Sequence, residues 1–173
     1  MNDARLLQVL GVFAVLGGLL RIGSTFIPWD GSDAIETLAF AIDVCLLFGL
    51  IGVYLSVRAQ VGWFGFASFA VAHTGIASIV GPDGMMFGIN TYQLGVLIIV
   101  AGLAAFSIAM LVRRAGSALA AALWIASPVV AVASTAANQP ENGFSLGGIL
   151  FGLGFVVAGL RLVSPGNRVE QAA

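Results

Sequence analysis

The sequence predicts an all-α protein: a polytopic transmembrane bundle of six helices with both termini cytoplasmic. Three observations carry this prediction. Of 173 residues, 60% are hydrophobic and only 9% charged, against roughly 25% charged in a soluble domain. So few charges cannot cover a globular surface in water, whereas lipid tolerates an apolar exterior. The apolar residues also gather into six runs, each near the roughly 20 residues that a helix needs to span hydrocarbon. Finally, Arg5, Arg58, Arg113, Arg114, Arg161 and Arg168 lie at the chain ends or in the second and fourth breaks between runs. The other breaks hold Asp30, Asp33, Asp83 and Glu141, with Glu36 at the edge of the second run, and no basic residue. Basic residues mark cytoplasmic loops, which sets the orientation.

The runs are placed at 6–28, 35–57, 61–80, 91–112, 116–137 and 145–163. They are continuous rather than alternating, which excludes the short segments of a β-barrel. The first reads as a retained helix. It has only Arg5 as an n-region charge, its apolar core is long and interrupted by Arg21, and no small-x-small site follows. Polar or turn-forming stretches separate the runs, from "PWDGSD" and "RAQ" to "RRAGS" and "NQPENGF". Trp29 and Tyr92 sit at the expected outer interface, and Tyr54 and Trp63 at the inner one. Pro128, inside the fifth run, removes a backbone hydrogen bond and is expected to bend it. The apolar Met85-Met86-Phe87 loop is expected to dip into the interface. The membrane domain covers 1–164, and 165–173 form a short polar cytoplasmic tail.

The outer breaks repeat: "IPWDG", "GPDG" and "QPENG" place Pro28, Pro82 and Pro140 at intervals of 54 and 58 residues. Such spacing fits a helical-hairpin module copied along the chain. In layout the chain resembles the small six-helix bacterial membrane proteins of the HdeD type, built from hairpin repeats. The resemblance implies a bundle of hairpins and supplies no functional residue.

Three ionisable residues fall well inside the runs: Arg21, Asp43 and His73. At about 1.5 Å of rise per residue they lie roughly 10, 12 and 11 Å below the outer surface. A charge facing lipid there costs several kcal/mol, so such groups turn inward and pair. The first and second helices are antiparallel neighbours, which lets Arg21 meet Asp43 through two parallel hydrogen bonds. Glu36 shares the face of Asp43 at i and i+7. His73 would be the titrating member of an outward-facing site made of Arg21, Asp43, His73 and Glu36. Gly17 and Gly18, with Ser24 and Thr25, flank Arg21 at helical spacing and permit close helix approach. In the last run Gly143/Gly147 and Gly148/Gly152 each form a G-x-x-x-G pair, and Gly159 extends one small-residue face. That face suits contact within the bundle or between protomers.

Composition also narrows the chemistry. The net charge of −1 gives no electrostatic footprint for nucleic acid. Cys45 and His73 are the only cysteine and histidine, too few for an intramolecular disulfide, a Cys/His zinc site or a bis-histidine haem. Neither a Walker loop nor a dinucleotide fingerprint is present, and the hydroxyls form no nucleophile motif. No metal or cofactor is implied. The expectation is a multi-pass protein of a bacterial-type cytoplasmic membrane whose partner is the lipid bilayer. Its role would be non-enzymatic, structural or accessory, in a homo-oligomer or larger membrane complex. The alternative is a small transporter or channel component using Arg21, Asp43 and His73. A redox or lipid-modifying enzyme has little support.

Overall fold

The structure is a computed structural model that describes residues 3–81, 85–86 and 88–164. The expected polar tail at 165–173, with Arg168, lies outside the described residues, as do Pro82, Asp83, Phe87 and the side chains of Pro140 and Glu141. The described residues are predominantly helical: α1 (Asp3–Ser24), α2 (Asp33–Ile79), α3 (Thr91–Val112), α4 (Ala118–Ala136) and α5 (Pro140–Val163). Between α2 and α3, β1 (Met85–Met86) and β2 (Ile89–Asn90) form a minimal antiparallel pair, with Met85 opposite Asn90. The loop expected to dip into the interface is thus a small hairpin, in which Met85 is 69% exposed.

Among the described residues, five helices are long and apolar enough to cross a membrane, where the sequence predicts six. The difference lies in α2, which takes up the second and third runs. Its 47 residues would extend about 70 Å if straight, more than twice the roughly 30 Å of a hydrocarbon core. It is not straight. Gly62 breaks the helical path at φ 61° and ψ −160°, a conformation open to glycine and costly for other residues. On either side of the break, the rings of Tyr54 and Phe69 stack with centroids 4.2 Å apart. Fifteen residues of unbroken helix would separate them by about 22 Å, so the chain folds back at Gly62. Arg58, Ala59 and Gln60, expected as a loop, remain helical and exposed. One glycine makes the turn.

The helices close a ring: α1 packs on α2 and α5, α5 on α4, α4 on α3, and α3 on α2. At its centre Leu50, Val57, Ile76, Leu103, Phe106, Met110, Trp124 and Phe155 are almost wholly buried. Outward, Val112 is 73% exposed, Val132 70% and Leu97 66%. In lipid, apolar surface gives little drive for helices to associate, so close packing has to supply it. Glycines allow that packing. A Cβ on Gly152 would stand 2.6 Å from the Gly18 carbonyl oxygen, one on Gly159 2.5 Å from that of Gly11, and one on Gly17 2.9 Å from the Leu46 nitrogen.

On α5 the glycines divide between two faces rather than extending one. Gly148, Gly152 and Gly159 meet α1, whereas Gly143, Gly147 and Gly154 meet α4. Each set runs i, i+4, i+11, and the sets are five residues apart, or about 140° around a helix turning 100° per residue. The α4 face is tied by Ser127, whose hydroxyl donates to the Gly147 carbonyl at 2.9 Å. Here α4 continues through Pro128 as one element. Asn90 and Ser117 cap α3 and α4 by accepting from the Gln93 and Ala120 N–H groups.

Candidate functional site: a cavity of mixed charge at one end of the bundle

The C-terminal end of α1 and the N-terminal ends of α2 and α3 meet at one end of the ring, around a cavity of about 370 Å3. From α1 it receives Arg21 and Ser24; from α2, Glu36, Ala39 and Asp43; from α3, Tyr92. Trp29 on the α1–α2 loop, with Ile79 and Gly81 at the far end of α2, completes the rim. Glu36, Ala39 and Asp43 follow at i, i+3 and i+7, one stripe of a helix. The site therefore sets one cation on α1 opposite two carboxylates on α2.

Arg21 is held locally. Its Nη1 donates to Ser24 Oγ at 3.2 Å, and that hydroxyl donates back to the Arg21 carbonyl at 2.9 Å. Thr25 Oγ1 donates to the same carbonyl. Nη2 rests over Gly148 of α5, where a Cβ would stand 2.9 Å away. Gly148, expected as a helix-packing residue, also makes room for the guanidinium. Arg21 and Asp43, expected from the sequence to meet, lie on the wall of one cavity.

His73 stands elsewhere. The cavity wall takes Ile79 from the second half of α2 and not His73. Six residues separate them, which turns the imidazole about 240° around the helix from Ile79. Its ring lies 5.4 Å from that of Phe69, and its buried Nδ1 has no hydrogen-bond partner among the described residues. The expected site thus loses its histidine and gains Ser24, Trp29 and Tyr92. The two aromatics were legible only as interface anchors, since nothing in the sequence indicates that they rim a void.

On the loop above the cavity, Asp30 accepts from the Ser32 backbone N–H at 2.9 Å. The Ser32 backbone and side-chain hydrogen bonds hold its carboxyl below its ordinary value of 3.8. No group of three or more His, Cys, Asp or Glu side chains among the described residues is arranged to hold a metal ion. Comparison with known protein families, with curated proteins and with solved structures finds no match to this chain. The resemblance in layout to HdeD-type proteins therefore carries no assignment, and the reading of function rests on the cavity.

Proposed function

We propose that the protein is a six-span component of a cytoplasmic membrane, with both termini inside, that binds a small zwitterionic solute in its outward-facing cavity. Six spans follow if each half of α2 crosses once, since the chain folds back at Gly62. The orientation rests on charge. Arg5, Arg58, Arg113, Arg114 and Arg161 gather at the end away from the cavity, the end that the positive-inside rule assigns to the cytoplasm.

The observation that carries the function is the facing of Arg21 against Glu36 and Asp43 across one void. A solute with both charges is complementary to this lining: its anionic group would meet the guanidinium, and its cationic group the side that carries the carboxylates. Trp29 and Tyr92 add aromatic faces suited to an ammonium group. The volume falls within the range of about 300–1,000 Å3 common for small-molecule sites. The proposed role is binding, with Arg21, Glu36 and Asp43 as the charged contacts. A transport function would extend this reading, with the apolar core below the cavity opening to pass the bound solute.

The test places a cysteine at Ala39 in a Cys45→Ala background and adds an impermeant thiol reagent to intact cells. Labelling from outside is expected at Ala39→Cys, with none at His73→Cys. Glycine betaine, as a zwitterionic probe, should raise the unfolding temperature of the purified protein. Arg21→Gln and Asp43→Asn should each weaken that response about tenfold, as the loss of a charged contact does. An unlabelled Ala39→Cys overturns the outward cavity. A wild-type protein indifferent to zwitterions overturns the solute class.

A further inference from the structure

A second cavity, of about 390 Å3, lies at the opposite end of the bundle, and its chemistry differs. Arg114 and Arg161 face it, with Gln8, Gln60, Ser56 and Ser117. Among the described residues its wall carries no carboxylate. Two cations amid amide and hydroxyl donors make a site for an anion rather than for a zwitterion.

Local structure aims both guanidinia. Arg161, on the last turn of α5, donates to the Gly116 carbonyl in the α3–α4 turn, which holds it over the opening. Arg114 belongs to that turn. Its N–H bonds to the Leu111 carbonyl at 3.2 Å and the Ala115 N–H to the Met110 carbonyl at 2.8 Å, the Schellman pattern that ends a helix. The residue at this position of the motif takes a left-handed conformation, and Arg114 does so at φ 51°. Glycine is the residue usually found there. An arginine is kept at a conformational cost, in the place that directs its side chain to the cavity. The first turn of α4, capped by Ser117, also opens onto this wall and brings the positive end of a 19-residue helix.

We propose that this cavity binds a phosphate group, gripped by the Arg114 and Arg161 guanidinia. Planar, multidentate guanidinium groups match phosphate oxygens. The phosphate belongs either to an anionic phospholipid headgroup or to a soluble phosphate compound, and the void is large enough for both. The proposal is independent of the solute site at the other end and of which side of the membrane the cavity faces.

The experiment uses the full chain in neutral detergent and follows thermal unfolding during titration with sodium phosphate. Parallel titrations use mixed micelles containing phosphatidylglycerol or phosphatidylcholine. A saturable rise in unfolding temperature is expected in at least one arm. A response to inorganic phosphate assigns a soluble ligand, and a response to phosphatidylglycerol alone assigns a lipid headgroup. Arg114→Gly should weaken the response about tenfold, while Arg113→Gln, which alters the neighbouring arginine outside the cavity wall, leaves it unchanged. Without ligand, Arg114→Gly should unfold at or above the wild-type temperature, because glycine suits the left-handed position. The proposal fails if neither phosphate nor phosphatidylglycerol stabilises the protein, or if Arg114→Gly retains full response. It fails equally if Arg113→Gln loses as much, or if ligand-free Arg114→Gly is the less stable protein.

Discussion

The two end cavities are nearly equal in volume, about 370 and 390 Å3, yet opposite in electrostatic character. One sets Arg21 against Glu36 and Asp43 among aromatic side chains; the other gathers Arg114 and Arg161 among amides and hydroxyls. Both voids take residues of α1, α2 and α3, and the arginine-lined one also takes residues of α5. Their chemistry differs because arginine is confined almost wholly to one end. Arg21 is the exception among the described arginines, and special provision surrounds it: the Ser24 hydroxyl, and the space left by Gly148. Membrane topology alone explains the clustered arginines, but it cannot explain Arg21.

The sharpest way to break this comparison is to remove what the cavities share. The α1–α5 contact at Gly18 and Gly152 lies between them and supports walls of both. Gly152→Leu would press a side chain onto the Gly18 backbone and should cost about 3 kcal/mol, the upper range for overpacking. Unfolding in detergent should show that loss, together with loss of both ligand responses. A change under about 1 kcal/mol would mean the helices separate freely there.

His73 gives an intermediate effect and separates buried polarity from function. Its Nδ1 is buried without a partner among the described residues, beside the ring of Phe69. His73→Phe removes that unsatisfied group and should raise stability by about 1 kcal/mol. Both binding responses should stay as they are; a loss of either would tie the imidazole to a cavity.

Asp30 supplies the smallest effect, confined to the rim of the mixed-charge cavity. Its carboxyl is depressed in the folded chain by the Ser32 hydrogen bonds. The contribution is therefore complete above the unfolded value and is lost as pH falls through the lower folded one. Below pH 3.8 the fluorescence of neighbouring Trp29 should change in the wild type. Asp30→Ala should lack that step, and the arginine-lined cavity should not respond in either protein.

Much of the helical layout was legible because it depends on composition along the chain. The polar "RAQ" stretch misled: polar residues at a membrane surface can remain helical, so the turn fell to Gly62, where backbone freedom rather than polarity decides. The site was legible in part. Arg21, Glu36 and Asp43 were grouped by depth and by spacing on one helix face, and they line one cavity. His73 was grouped by depth alone, and depth does not state which way a residue faces. On α5, Gly143, Gly147, Gly148, Gly152 and Gly159 likewise read as one small-residue face, although register splits them between α1 and α4, where Gly154 joins the α4 set.

By itself, the sequence determined that the chain is helical, apolar enough for lipid, and basic at a particular set of turns. These properties follow from residue type and order, which act before any two helices touch. Only the tertiary structure decided that Arg21 rests on Ser24 and Gly148, that His73 leaves the site, and that Arg114 and Arg161 converge. Each depends on the rotation of one helix against another. That rotation is settled by side-chain packing across the whole ring, and a one-dimensional pattern records it only when a single face is marked throughout.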